Sequence, residues 1–428
     1  MRVYLVGGAV RDQLLGIAGA DRDYVVVGAT IEDMLAQGFR QVGHDFPVFL
    51  HPQTQEEYAL ARTERKSGHG YTGFICDFAP DTTLEEDLLR RDLTINALAQ
   101  DLTTGAIIDP YGGLNDLEHK VLRHVSPAFV EDPLRVLRVA RFAAKLHHLG
   151  FTVAPETLEL MRSMVQSGEL TSLTAERVWI ELEKALNTPN PEVFIEILHF
   201  TGALGVILPE VEALSGVPGP VRWHPEVDTL VHTIMTLHRI AQETCDPVAR
   251  FAMLCHDLGK GLTPKEQWPH HKNHNVLGLK PLEAMCVRLK VPNEYHDFAK
   301  LVVFYHSFIH HLYQEGAHGI VMLLNHLDAW RRPERIKPWI LCCKCDFLGR
   351  KGFEARPFPR AEYLYEMFTL CRTVTAKEFV AQGLKGAQIK NAMFERRVAL
   401  VAEFMKTIPQ GELDDHNNSS PAAESIRD

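Results

Sequence analysis

The sequence predicts an α+β N-terminal region followed by a largely helical remainder. Three observations carry this. Short β-rich runs mix with helical ones up to about residue 110, the breaker Asp109-Pro110-Tyr111-Gly112-Gly113 follows, and helical periodicity dominates afterwards. At 428 residues the chain is long enough for two to four domains or subdomains with ample core.

In chain order, the apolar run Leu5-Val6 reads as a strand ending in Gly7-Gly8, and a helix opens with Arg11 in its first turn. Asp21-Arg22-Asp23 then leads into the strand Tyr24–Val27. Further strands are expected at Pro47–Leu50, Tyr58–Ala61 and Ala106–Ile108, with a mobile loop over Arg62–Pro80. Helices are expected over Glu131–Leu146, Glu176–Leu186 and Val193–His199. Pro and Gly residues between Pro209 and Pro225 mark a boundary, and a His-rich helical segment runs from about Asp228 to Gly349. The chain reads as helical to about Met405, and the polar, acidic stretch Gln410–Asp428 reads as a disordered tail. No internal repeat is visible.

A net charge of −10 argues against nucleic-acid binding through bulk positive charge, leaving only a local basic face. No apolar run approaches the roughly 20 residues needed to span a bilayer. Met1-Arg2 runs straight into a strand with no signal-peptide pattern. The eight cysteines, including Cys342-Cys343-Lys344-Cys345, form no paired Cys-x-x-Cys knuckles, so they read as reduced core thiols of a cytoplasmic protein.

The first two dozen residues carry the most chemistry. Side chains alternate along a strand, so Asp21 and Asp23 share a face and can hold the oxygen-seeking Mg²⁺. Gly7-Gly8 let backbone N–H groups approach a phosphate chain ahead of a helix start that favours anions. This set suits nucleotidyl transfer by a two-metal mechanism. Alone, Gly-Gly is an ordinary turn and Asp-x-Asp a solvated strand edge; their order along the chain is what makes them informative.

The segment Glu131-Asp132-Pro133-Leu134-Arg135-Val136-Leu137-Arg138-Val139-Ala140-Arg141 adds a choice of base. Asp132 can cap the helix and Pro133 suits its first position. In isolation Arg135, Arg138 and Arg141 form a solvated row on an amphipathic helix. A carboxylate, however, only accepts hydrogen bonds and a guanidinium only donates. Side by side, Asp132 and Arg135 match the amino donor and ring acceptor of cytosine or adenine. Uracil and guanine would put a carbonyl against the carboxylate, which is costly in a buried site. Arg138 and Arg141 are then left to hold phosphates or position the base.

Taken together, Gly-Gly-Ala-Val-Arg-Asp at 7–12, Asp21-Arg22-Asp23, Arg90-Arg91-Asp92-Leu93-Thr94-Ile95-Asn96-Ala97, the 109–113 hinge, the Glu131 helix and Glu176-Arg177-Val178-Trp179 resemble the class II CCA-adding enzymes, the tRNA nucleotidyltransferases. The resemblance spans roughly residues 1–210 and continues more loosely into a bacterial subgroup carrying an HD phosphohydrolase domain. It implies a nucleotidyltransferase head of the DNA polymerase β type, with a mixed sheet and helices, over 1–113. A helical neck and body over 114–215, an all-α HD domain over 228–350, a helical tail over 351–409 and a disordered tail over 410–428 follow.

Carried over, Asp21 and Asp23 are the catalytic Mg²⁺ ligands. Gly8, Arg11 and Arg91 bind the incoming ATP or CTP, and Asp132, Arg135, Arg138 and Arg141 complete the nucleotide site. Asp92 and Asn96, four apart on a helix, are expected to support sugar or phosphate. Glu57 is a candidate third acid, with a plain surface strand residue as the competing reading. The loop at 62–80 is a candidate for switching from C to A. The implied reaction adds C, C and A to tRNA 3′ ends from CTP and ATP and releases pyrophosphate. An A-adding enzyme, a poly(A) polymerase and a non-catalytic tRNA-binding protein are the alternatives. Partners are tRNA, ATP and CTP, with no DNA or membrane, in a cytoplasmic monomer or homodimer.

Further along, His256-Asp257-Leu258-Gly259-Lys260 with an upstream helical His resembles the HD superfamily. Its metal set maps to His232, His256, Asp257 and Asp346, with His274 and His306 as phosphate-side groups or extra ligands. Imidazoles with carboxylates suit a divalent transition metal such as Ni²⁺, Mn²⁺ or Co²⁺. The resemblance implies phosphatase, 2′-nucleotidase and 2′,3′-cyclic phosphodiesterase activity, with a non-catalytic tRNA-contacting bundle as the alternative.

Overall fold

A computed structural model describes residues 1–19, 22–42, 48–66, 74–222 and 224–409. Asp21, residues 67–73 of the expected 62–80 loop and the expected tail at 410–428 lie outside the described residues. The chain divides into two compact units, Met1–Ile207 and Leu208–Asp428.

In the first unit the order is β1 (Arg2–Val6), α1 (Gly8–Leu14), β2 (Asp23–Val27), α2 (Ile31–Ala36), β3 (Arg40–Gln41), β4 (Val48–Leu50), β5 (Glu57–Leu60), β6 (Thr63–Lys66), β7 (Phe74–Asp77) and α3 (Leu84–Leu89). Then come β8 (Ala99–Asp101), β9 (Ile107–Ile108), α4 (Gly113–Glu118), β10 (Val121–Leu122), α5 (Leu134–Leu146), β11 (Thr152–Val153), α6 (Pro155–Gln166), α7 (Ala175–Leu186), α8 (Pro191–Thr201) and α9 (Leu204–Ile207).

Seven strands form one mixed sheet in the order β3-β4-β5-β2-β1-β8-β9. β2 runs antiparallel to β1 and parallel to β5. Alternation along β2 places Val25 in a cluster with Tyr4, Val6, Leu84 and Leu88, and Val26 in another with Met34, Phe39, Phe49 and Leu60. Both faces of the sheet are thus covered. Capping boxes of Thr30 with Asp33 and Thr83 with Glu86 start α2 and α3.

Two expectations need correction. The 62–80 stretch is not loop throughout, because β6 and β7 pair antiparallel from Thr63 opposite Asp77 to Lys66 opposite Phe74. A backbone ladder of this kind does not require apolar side chains, so composition concealed it. Asp92 and Asn96 do not sit on an α-helix either. Leu93 makes a bridge to His124, Thr94–Asn96 is one 3-10 turn, and the buried Ala97-Leu98 run feeds strand β8 against β1.

The 109–113 breaker has a specific construction. Both Asp109 carboxylate oxygens accept from the start of α4, from Gly113 N at 2.7 Å and Leu114 N at 2.9 Å. Gly112 is left-handed at φ +78°, and a Cβ on Gly113 would overlap the Thr94 carbonyl. Gly113→Ala should therefore lower stability by about 1–3 kcal/mol. Chemical denaturation would check this; an unchanged midpoint would show that the contact relaxes freely.

Helix α5 buries Leu134, Val136, Leu137, Val139 and Ala140 and packs on α7 and α8. Its arginines at 135, 138 and 141 are left along one side, toward α1 and the 90–96 segment.

The second unit is helical: α10 (Pro209–Glu212), α11 (Thr229–Glu243), α12 (Pro247–Cys255), α13 (His274–Leu289), α14 (Asn293–Tyr305), α15 (Leu312–His326), α16 (Ile336–Leu348), α17 (Arg360–Cys371), α18 (Ala376–Ala381) and α19 (Ala387–Met405). α12 packs against α11, α14 and α16. Cys342, Cys343 and Cys345 are buried free thiols on α16. Among the described residues no helix is long and apolar enough to cross a membrane.

Candidate active sites

The first unit holds an open cavity of about 750 Å³, walled by Gly7 and Gly8, Asp23, the 90–96 segment, and one side of α5. Eight Lys and Arg side chains line it against four Asp, so it is built for an anion of several charges. Gly7 has φ +68°, and a Cβ there would stand 2.8 Å from Arg91 Nη1. Glycine is thus required both by conformation and by the approach of Arg91.

The cavity brings together Gly8, Arg11, Asp23, Arg91, Asp132, Arg135, Arg138 and Arg141. Asp23 opens β2, where it pairs with Val6 on one side and Glu57 on the other. Direct parallel pairing puts Asp23 and Glu57 on one face of the sheet, and both are exposed. An exposed all-carboxylate edge has the oxygen donors that Mg²⁺ prefers.

Each arginine is held by a partner that sequence reasoning did not assign. Asp87, fully buried, takes Arg90 at 2.7 Å and Arg91 at 3.2 Å. Asn96 accepts from Arg11 and donates to Asp92 at 2.9 Å. Asp92 takes Arg138 Nε at 2.7 Å, and buried Glu181 takes Arg141 Nε at 2.6 Å. The Phe142 ring lies beneath Arg11, Arg138 and Arg141, at 4.4 Å from Arg141. Asp92 and Asn96 therefore hold Arg138 and Arg11 against the cavity wall.

Arg135 is buried and donates to the carbonyls of Ala128 at 2.6 Å and Arg90 at 2.5 Å. Asp132 accepts from Leu134 N at the start of α5, and Arg177 meets its carboxylate at 2.9 Å. The four-residue spacing of Arg177 and Glu181 on α7 was the available signal: both reach the arginine side of α5.

Burial pushes the Asp92 carboxyl up, but the Arg138 guanidinium and hydrogen bonds from Asn96 and the Leu93 N–H hold it well below the usual range. A depressed pKa stabilises the fold fully above about pH 4, and that contribution is lost as pH falls further. Asp92→Asn should cost about 1–2 kcal/mol at pH 7, discounted because Arg138 is partly exposed. The gap between the two proteins' denaturation midpoints should hold from pH 7 to about pH 4 and narrow steadily below that; a gap unchanged at about pH 2 would refute the ion-pair account.

Comparison with known families finds likenesses for two segments of the first unit and its border. Residues 3–123 match the family model described as "Poly A polymerase head domain". This segment is similar to poly A polymerase head domains. Residues 150–214 match the model "Probable RNA and SrmB- binding site of polymerase A". Among solved structures, a Thermotoga maritima CCA-adding enzyme complexed with tRNA aligns at 21% identity over 96% of this chain and 89% of that one, with a TM-score of 0.62. CCA-adding enzymes with ATP and with CTP align at 21% identity and TM-scores of 0.61 and 0.60, over 96% of this chain and 88% and 89% of theirs. These likenesses establish the fold: a mixed-sheet head with a largely helical body, as in CCA-adding enzymes.

Apart from the head domain, the second unit holds a smaller cavity of its own, about 60 Å³, over a buried His/Asp cluster. His232 on α11, His256 and Asp257 after α12, and Asp346 on α16 converge. His232 Nε2 lies 3.0 Å from Asp346 Oδ1 and 3.8 Å from Asp257 Oδ2. His256 Nε2 lies 3.3 Å from Asp257 Oδ2 and 3.8 Å from Asp346 Oδ1. His232, His256 and Asp346 form a set compact enough to surround one ion, with Asp257 Oδ2 beside it. His256 Nε2 is buried without a hydrogen-bond partner, which fits a metal-ligating role.

The outer atoms of these donors are anchored. Glu226 Oε1 lies 2.8 Å from His232 Nδ1, and His256 Nδ1 donates to the Met253 carbonyl at 2.7 Å. His310 and Arg350 hold Asp346 Oδ2 at 3.0 and 3.1 Å, and Lys260 meets Asp257 Oδ2 at 2.7 Å. Glu226, His310 and Arg350 had no sequence signal, because they lie far from the His-Asp string. Burial pushes Asp257 and Asp346 up, but Lys260 and Arg350 outweigh it and keep both ionised. Gly259 is required by packing: a Cβ there would overlap the His274 carbonyl, so α13 sits directly on the turn after Asp257. That contact brings His274 to the cluster.

Proposed function

We propose that this protein completes tRNA 3′ ends by adding C, C and A from CTP and ATP, and that its second unit is a metal-dependent phosphohydrolase. The observation that carries the first part is the cavity in which Gly7-Gly8 and Asp23 face the arginine side of α5. The solved enzymes sharing the fold, described in complex with tRNA, ATP and CTP, support these partners. The match over residues 150–214 supports an RNA-contacting body.

In this reading Arg11, Arg91, Arg138, Arg141 and Lys145 screen the triphosphate, and the Gly7-Gly8 turn lets it approach the backbone. Asp132 accepts from the amino group of cytosine or adenine and opposes the carbonyl of uracil or guanine. Arg135, held by two carbonyls, lies beside Asp132 at the base edge, and Arg177 holds the Asp132 carboxylate in place. Asp21 and Asp23 would hold Mg²⁺, which when bound supplies activation of the attacking 3′-hydroxyl and charge neutralisation at the leaving pyrophosphate. The tRNA 3′-oxygen bonds to the α-phosphorus of the nucleotide as pyrophosphate leaves.

For the second part, His232, His256, Asp257 and Asp346 would hold a divalent transition metal, which when bound supplies an activated water for phosphoester hydrolysis. Lys260 and Arg350 line the same cavity with charge suited to a phosphate oxygen.

The test incubates purified protein and Mg²⁺ with tRNA lacking its last three nucleotides, offering each NTP singly and then CTP with ATP. Three nucleotides ending in A, with UTP and GTP refused, is the expected result. Addition of A only, to tRNA already ending in CC, would make it an A-adding enzyme. A long A tail would make it a poly(A) polymerase, and no addition would leave an RNA-binding role.

A further inference from the structure

Asp12 stands on the wall of the head cavity, where its charge has the wrong sign for a triphosphate. It follows Arg11 on α1 and is 3% exposed. A buried carboxylate is costly unless it is paired, and here both oxygens are. Oδ1 accepts from Arg11 Nε at 2.8 Å and meets Arg11 Nη2 at 2.7 Å, and Oδ2 accepts from Lys145 Nζ at 2.9 Å. Both oxygens thus face cations, in contrast to the exposed Asp23 that opens β2.

The two cations depend on this carboxylate differently. Arg11 is itself buried, its Nη1 also donates to Asn96, and its guanidinium lies 5.0 Å from the Phe142 ring. A Cβ on Gly8 would stand 3.4 Å from Arg11 Nη2, so that nitrogen sits against the glycine turn. Lys145, in the last turn of α5, has a flexible stem and a side chain one-third exposed. Without a partner its ammonium would extend into water. Asp12 draws it back beside Arg11 and offsets the repulsion between the two. The Asp12 carbonyl also accepts from Ile17 N at 2.8 Å, which fixes the turn after α1.

We propose that Asp12 is a positioning residue for the polyphosphate chain of the incoming nucleotide, holding Arg11 and Lys145 side by side on the cavity wall and joining α1 to the far end of α5. The proposal rests on the reading of this cavity as a nucleoside-triphosphate site. It fixes the sign of an effect. Removing an acid from the wall makes the cavity more positive, and by charge alone Asp12→Asn would bind an anion more tightly. Acting through the two cations, the same change weakens binding. Lys145 is released to water, and Arg11 loses the charge-assisted contacts that hold its guanidinium in one orientation.

The experiment titrates tripolyphosphate into the full chain by calorimetry, with Mg²⁺ and again with a chelator, and checks folding by thermal melting. Asp12→Asn should bind at least about tenfold more weakly than wild type in both conditions. Lys145→Met should bind at least about threefold more weakly, and the double variant should lose less than the product of the two single losses. Lys145 is partly exposed, so its variant decides the matter if Asp12→Asn melts early. Binding by folded Asp12→Asn as tight as wild type, or tighter, would overturn the proposal. Weakening confined to Mg²⁺ would overturn it too and make Asp12 a metal ligand. Wild-type affinity in Lys145→Met, or losses that multiply independently, would do the same. Addition of CMP to truncated tRNA is read on the same samples. The KM for CTP should rise at least about tenfold in Asp12→Asn with kcat within about threefold of wild type, and a fall in kcat at unchanged KM would count against the positioning role. No addition by wild type removes the transferase reading alone, because the tripolyphosphate titration still decides what Asp12 does.

Discussion

Asp23→Ala should reduce nucleotide addition by at least about 10²- to 10³-fold while leaving the protein folded. Asp23 opens β2 at the cavity wall, and its side chain is exposed, so its removal leaves no buried void. The strand is held by backbone pairing to β1 and β5 and by buried Tyr24, Val25 and Val26, none of which depends on the Asp23 carboxylate. The expected loss is therefore one of chemistry. Bringing a triphosphate against a 3′-hydroxyl concentrates negative charge, and an Asp-bound divalent ion contributes several kcal/mol of stabilisation there. Single-turnover addition of CMP to truncated tRNA measures this, with the thermal midpoint measured alongside. Activity within tenfold of wild type would remove Asp23 from the catalytic role. Hydrolysis of phosphoesters should be unaffected in the same sample.

The reciprocal result is expected for His256→Ala. Hydrolysis of p-nitrophenyl phosphate should fall by at least about 10²-fold, and nucleotide addition should persist. His256 is 1% exposed and its Nε2 makes no hydrogen bond, so that nitrogen, unlike Nδ1, is placed to take a ligand. Its removal also leaves the Met253 carbonyl without its donor, which costs about 1–3 kcal/mol in a buried setting. Melting curves with and without Co²⁺ separate the two effects, because a lost ligand lowers the stabilisation by metal as well as the metal-free midpoint. Hydrolysis that survives in a folded His256→Ala protein would sink the metal assignment.

Local features of the sequence were informative wherever a single segment carries its own geometry. Gly7-Gly8 with Arg11, Asp23 at a strand start, and arginines every third residue along α5 all line one cavity, because strand and helix periodicity dictate which side chains share a face. His256-Asp257 with its glycine two residues on is similarly local. The misreadings came where backbone pairing or burial overrides pattern. Asp92 and Asn96 have helical spacing, yet Ala97 and Leu98 are fully buried and draw the segment into β8. Thr63–Lys66 and Phe74–Asp77 lack the apolar alternation of a strand, yet their backbones pair.

By itself, then, the sequence determined an α+β start and helical remainder, most of the charged residues that line the head cavity, and the His and Asp residues that converge in the second cluster. Only the tertiary structure decided what holds them: Asp87 on Arg91, Asn96 on Arg11, Asp92 on Arg138, Glu181 on Arg141, Arg177 on Asp132, and Glu226, His310 and Arg350 around the second cluster. The physical reason is range. A helix or strand fixes its own side-chain directions over a few residues, whereas a buried charge needs a counter-charge from whatever element packs against it, here 133 residues away for Asp12 and Lys145.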